Sequence, residues 1–190
     1  FGMPLAAGLA VAAPEAVRLV YGPKWAPVVP VLAWLSVAGI FQPLYSTMGW
    51  LFLAAGKPKL MFLWGCFGTL VLAATFFIGV RWGALGVAVG YALSMGTILT
   101  WSALHTAHRA AGLSLGESLR PLWPIFGATA LMVVGVLAVN QWLVPSGTDW
   151  RAVLSLKIVV GAAVYSGASW LWVSPLPLPS FWRLRVATQW

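Results

Sequence analysis

Six long apolar runs constrain this chain more than any other feature. They extend from Gly2 to Val20, Pro27 to Ala55, Leu60 to Gly79, Trp82 to Leu104, Leu122 to Val144 and Ala152 to Val173. About 20 predominantly apolar residues in helical form cross the hydrocarbon core of a bilayer. In hydrocarbon every backbone N–H and C=O must find an internal partner, which leaves only helices and closed barrels. Barrel strands alternate apolar and polar residues over about 10 positions, and these runs do not alternate. The expectation is an all-α, polytopic transmembrane bundle of about six helices.

Composition supports lipid as the solvent. Of 190 residues 61% are hydrophobic and only 7% are charged, where a soluble domain carries about 25% charged residues. So few charges cannot coat a water-exposed globule of this size. Thirteen tryptophans fit the same picture, because an apolar ring with a single N–H is best placed at the boundary between water and lipid. Trp25, Trp82, Trp101, Trp123, Trp142, Trp170 and Trp172 fall near the ends of runs, whereas Trp34 and Trp64 lie deeper and read as packing residues.

The net charge of +8 does not indicate nucleic acid. The basic residues stand singly or in pairs between apolar runs, with no basic, aromatic-interleaved patch. They read as topology signals and contacts to anionic head groups. Arg18, Lys24, Arg81 and Arg151 fall on one side, and Lys57, Lys59, Arg109, Arg120, Arg183 and Arg185 on the other. The heavier side is expected to be cytoplasmic, together with the C-terminus. The transmembrane bundle is expected over residues 1–174 and a proline-rich, basic tail over 175–190. Phe1 opens inside an apolar run, with neither an initiating Met nor a signal-type n-region, which predicts a piece of a longer protein.

The connections suggest the arrangement of the helices. The GKPK turn at Gly56–Lys59 is tight and basic, and Gly79–Arg81 is shorter still, so the third and fourth runs form an antiparallel hairpin. The segment from His105 to Pro121 is long enough for a short interfacial helix, with Ser114 as N-cap and Glu117 as capping partner. Gly79–Gly83 and Gly86–Gly90 have the G-x-x-x-G spacing that lets helices approach closely.

Little here suggests catalysis. The only acids are Glu15, Glu117 and Asp149, and none lies near the middle of a run, so no carboxylate pair is available for acid–base work. His105 and His108 end a helix without a third metal ligand and read as a polar helix end facing head groups. Cys66, the single cysteine, reads as a small packing residue. No catalytic residue, metal site or cofactor is expected.

Candidate binding residues come from polar groups at depth. Ser36, Gln42, Tyr45, Ser46 and Thr47 make the second run the most polar at its centre, with Pro30 and Pro43 available to bend it. Such helices line transporter cavities or hold neighbouring helices by hydrogen bonds. Lys157, about one and a half turns into the last run, either extends its amine to the interface or meets an anionic substrate in a cavity. Arg18 is expected to pair with Glu15, three residues earlier on the same helix face.

Pro14 to Phe62, PEAVRLVYGPKWAPVVPVLAWLSVAGIFQPLYSTMGWLFLAAGKPKLMF, resembles the polysaccharide biosynthesis family of oligosaccharide flippases, in the multidrug/oligosaccharidyl-lipid/polysaccharide exporter superfamily. The matching pieces are Leu19–Gly22, Trp25, the polar stretch Gln42–Thr47 and the turn Leu53–Lys57; Trp82–Leu93 and Ala111–Leu115 continue the likeness. The resemblance implies two helical bundles around a central cavity, this chain supplying most of the second and the first lying in a missing N-terminal part. It implies alternating-access transport, across the bacterial inner membrane, of an oligosaccharide on a polyprenyl pyrophosphate carrier, with membrane lipids as further partners. The pyrophosphate would require Arg or Lys, for which Arg18, Lys24 and Lys157 are the donors at hand, with Gln42 and Tyr45 as polar contacts. A drug exporter of the same superfamily, a membrane-embedded transferase and a non-catalytic scaffold are the competing readings.

Overall fold

The computed structural model describes residues 2–112, 114–143 and 149–173. Within them the chain is helical and contains no strand. In order the helices are α1 (Gly2–Val11), α2 (Ala13–Val20), α3 (Val29–Ala54), α4 (Pro58–Gly79), α5 (Gly83–Leu93), α6 (Thr100–Ala111), α7 (Leu115–Leu119), α8 (Trp123–Leu143) and α9 (Trp150–Val173). A 3-10 turn over Pro23–Val28 leads into α3, and a π-helical turn over Ser94–Leu99 joins α5 to α6.

Four helical segments among the described residues are long and apolar enough to cross a membrane, and the bent pair α1–α2 makes a fifth candidate. One of the four, the 54-residue stretch Pro58–Ala111, folds back on itself at Val80–Trp82, so α4 runs antiparallel to α5 and the helices that follow it. Glycine permits the reversal. Gly83 takes a φ of 68°, a left-handed conformation that L side chains avoid. Gly79 and Gly86 bring the two backbones so close that a Cβ on Gly79 would lie 2.9 Å from the Gly86 carbonyl oxygen. Beyond the turn, the Thr75 and Ser94 hydroxyls share a hydrogen bond of 2.8 Å between the arms.

The arm after the hairpin continues through the π-turn and is longer than the sequence suggests. It runs to Ala111 instead of Leu104, so Trp101 lies within the arm and not at its end. At the opposite side the Lys57 ammonium donates to the Ala110 carbonyl at 2.8 Å, a cation at a helix C-terminus where carbonyls lack intrahelical partners. This contact gathers the α3–α4 turn and the end of α6 at one surface.

Helix α3 is central, packing against α1, α4, α5 and α6, while the α8–α9 hairpin packs on α1. The packing residues are mostly alanine and methionine, with Phe52, Leu99 and Leu104 as the larger members. One cluster holds Ala38, Ala92, Met95 and Leu99, and another holds Met48, Phe52, Ala103, Leu104 and Ala107. Large apolar side chains such as Phe62, Leu70, Phe77, Val134, Ile158 and Val159 point outward. A water-soluble fold would bury them. Small residues between helices and bulky ones outside is the pattern of a bundle solvated by lipid, where close backbone approach drives association.

Helix α2 departs from that pattern. It meets α1 at 84°, at a break around Ala12 with Pro14 in the first turn of α2. It is also the most amphipathic of the helices, with Ala13, Glu15 and Val17 buried and Arg18 exposed. A short amphipathic helix at nearly a right angle to its predecessor fits the plane of the interface. Of the other expectations, α7 supplies the short helix between His105 and Pro121, and Ser114 immediately precedes it. The Glu117 side chain and residues 174–190 lie outside the described residues, and with them the capping partner and the tail.

Candidate functional site

The junction of α2 with α9 holds the chemistry of greatest interest. Lys157 Nζ donates to Glu15 Oε1 at 2.7 Å, joining residues 142 positions apart in sequence. It is the only ion pair among the described residues. Lys157 is 3% exposed and Glu15 is 8% exposed. Isolated charges at such burial carry a large desolvation penalty, and pairing compensates part of it. Glu15 Oε2 is buried without a hydrogen-bond partner, so the carboxylate uses one of its two oxygens.

This geometry corrects two readings of the sequence. Lys157 does not extend to the interface, because its amine is held inside by Glu15. Glu15 does not pair with Arg18, although the two are three residues apart. On α2 Glu15 is buried where it meets Lys157 of α9, and Arg18 is exposed. The Arg18 guanidinium lies over the ring of Trp150, with its Cζ 5.0 Å from the ring centroid. The Arg151 guanidinium lies over the same ring at 5.3 Å. Asp149, beside them, accepts the Arg151 backbone N–H at 3.3 Å at the start of α9.

Beside the ion pair lies a crevice of about 580 Å³ between α1, α8 and α9. Leu5, Leu9, Met132, Val136 and Ile158 line it, and Lys157 and Tyr165 are its main polar neighbours. Lys24 is exposed on the 3-10 turn before α3, where Tyr21 and Trp25 have ring centroids 5.8 Å apart.

Gln42 and Tyr45 belong to another part of the bundle. Tyr91 Oη on α5 donates to Gln42 Oε1 at 3.4 Å. Tyr45 packs against both core clusters. Its hydroxyl faces Gly68, where a Cβ would come within 2.9 Å of it. The neighbouring hydroxyls turn back on their own helix: Ser46 donates to the Gln42 carbonyl at 2.8 Å and Thr47 to the Pro43 carbonyl at 2.7 Å. They do not join helices, and α3 continues through Pro43 without a break. The five candidate residues therefore form no single cluster. Arg18 and Lys157 share the α2–α9 junction, Gln42 and Tyr45 lie on α3 toward α4 and α5, and Lys24 stands on the connecting turn.

Two further expectations change. His108 is buried, its Nδ1 2.7 Å from the Leu104 carbonyl oxygen, while only His105 is exposed. Cys66 is exposed on α4 and is not a packing residue. Trp150 is not singled out by the sequence, and Arg151 reads there only as a topology signal. Their signal is an aromatic and a cation at the first two positions of a membrane helix, one residue after one of the three acids.

Helical arms with bulky apolar exteriors and ionic chemistry confined to a buried pair and the arm ends define a polytopic helical membrane protein. The chain is 30% identical over 135 residues to the lipopolysaccharide biosynthesis protein WzxC of Escherichia coli, a match covering 69% of the chain and 27% of that protein. It is 24% identical over 163 residues to an uncharacterized membrane protein in the cps region of Klebsiella pneumoniae, covering 85% of the chain and 33% of the relative. It is 34% identical over 82 residues to the teichuronic acid biosynthesis protein TuaB of Bacillus subtilis, covering 43% of the chain and 17% of the relative. The chain belongs to this polysaccharide biosynthesis family of membrane proteins. The matched residues span no more than a third of the length of any of the three relatives. No protein-family profile matches the chain, and no solved structure matches it.

Proposed function

We propose that this chain is part of a flippase that moves polyprenyl pyrophosphate-linked oligosaccharide repeat units across the bacterial inner membrane by alternating access. The observation that carries the reading is the similarity to proteins named for lipopolysaccharide and teichuronic acid biosynthesis, in a chain whose exterior suits lipid. Such pathways need a hydrophilic glycan to cross hydrocarbon, and a bundle with polar groups between its helices provides an environment for that passage. The function needs no chemical step, and no catalytic residue is assigned.

In this reading Arg18 and Lys24 face the head-group layer, where the carrier's pyrophosphate lies. Gln42 and Tyr45 offer neutral hydrogen-bonding groups toward α5 and α4. Lys157 acts through Glu15, holding α2 against α9. The greater number of Lys and Arg on their side supports a cytoplasmic GKPK turn, α6–α8 connection and C-terminus.

The experiment is reconstitution of the full-length protein in liposomes with a labelled polyprenyl pyrophosphate oligosaccharide in one leaflet. The expected result is label reaching the other leaflet faster than in protein-free liposomes. Equal rates with and without protein, alongside intact folding, would overturn the proposal.

A further inference from the structure

Glu15 is the only carboxylate on α2, and Lys157 occupies it. Arg18 is thereby left with an aromatic face as its partner, and Arg151 shares that face. Among the described residues neither guanidinium is ion-paired, and Asp149 is engaged with the Arg151 backbone. Two like charges thus lie within about 10 Å of one another around the Trp150 ring. They come from two helices, α2 and α9, that the buried pair holds together. Stacking on an indole orients a guanidinium and leaves its N–H donors at the ring edge for an acceptor. Two such groups suit a phosphate, whose oxygens accept paired N–H donors. Trp150 opens a membrane helix, and α2 is amphipathic, so the group lies at head-group depth. The phosphate encountered at that depth belongs to a lipid.

We propose that Arg18 and Arg151, arrayed on Trp150, form a binding site for the phosphate group of a lipid. The source is either a bilayer phospholipid or the pyrophosphate of a polyprenyl carrier. The second source rests on the flippase reading, and the first stands without it.

The test is native mass spectrometry of the full-length protein from nanodiscs, with phosphatidylglycerol, polyprenyl pyrophosphate and polyprenol as separate probes. Wild type is compared with R18Q/R151Q, with R18K/R151K, and with R81Q, which removes an exposed arginine at the hairpin turn. Retention of a phosphate-bearing lipid is expected to fall about tenfold in R18Q/R151Q, as for lost charge-assisted hydrogen bonds. R18K/R151K keeps the charge but not the planar fork, so its loss is expected to be intermediate. R81Q is expected to match wild type. Whichever phosphate lipid shows the fall names the source. Equal retention by wild type and R18Q/R151Q overturns the site, as does an equal fall for polyprenol or an equal fall in R81Q. Loss of phosphatidylglycerol retention without any flipping by wild type would leave the site standing and remove only the transport reading.

Discussion

Lys157 on α9 and Glu15 on α2 meet at 2.7 Å in a setting that leaves both nearly inaccessible. Removing one member strands the other as an unpaired buried charge, whereas removing both leaves none. Lys157→Met alone is expected to destabilise the protein by about 3–5 kcal/mol, the range for breaking a buried pair. The double change E15Q/K157M is expected to be less damaging than either single change. Thermal unfolding in detergent, arranged as a double-mutant cycle, measures this. Additive losses would mean that the two groups do not act as a pair.

The α4–α5 hairpin depends on absent side chains. A Cβ at Gly79 would sit 2.9 Å from both the Gly86 oxygen and the Val87 Cα, and backbone cannot swing aside as a side chain can. Gly79→Ala is expected to cost at least about 1–3 kcal/mol, as for overpacking in a tight core. Gly65→Ala is its control, because nothing lies within 4 Å of that position; in a helix interior it is expected to be neutral or to stabilise by up to about 1 kcal/mol. Equal melting temperatures for the two variants would contradict the close approach.

Polar contact between the same two arms is expected to matter less than their proximity. Ser94 and Thr75 share a hydrogen bond, and Thr75 also reaches the Val71 carbonyl at 2.8 Å. Interhelical hydrogen bonds in membranes average about 0.6 kcal/mol, so Ser94→Ala is expected to lower stability by about that amount. A loss exceeding that of Gly79→Ala would reverse the ranking of packing over hydrogen bonding.

Cys66 gives a reporter position. It is the single cysteine of these 190 residues, exposed on α4 eight residues from the start of that helix, and a spin label attached there reads that face. About 12 Å along the helix from its end, the label is expected to be more accessible to dissolved oxygen than to a polar nickel complex. The opposite ranking would put this face of α4 toward water.

The apolar runs made the helical arms legible, because length and lack of charge are local properties that hydrocarbon enforces through backbone hydrogen bonding. The hairpin was legible at Gly79–Arg81 for a similar reason: so short a connection leaves only an antiparallel return. The extension to Ala111 was not, since His105, His108 and Arg109 look like a helix end until their helix is seen to continue beneath them. The partner of Glu15 was hidden differently. Arg18 is its neighbour one turn along α2, and only the packing of α9 against α2, a tertiary contact, supplies a lysine 142 residues away instead. Arg18 lies over Trp150 through the same meeting of α2 with α9, a contact with no periodic signature at all.

The crevice among α1, α8 and α9 is lined mostly by hydrocarbon, with Lys157 and Tyr165 among its few polar neighbours. Leu5, Leu9 and Ile158 at its edge are exposed on the face of the bundle that suits acyl chains. An apolar molecule dissolved in the bilayer therefore meets this crevice from the side, without crossing a layer of water.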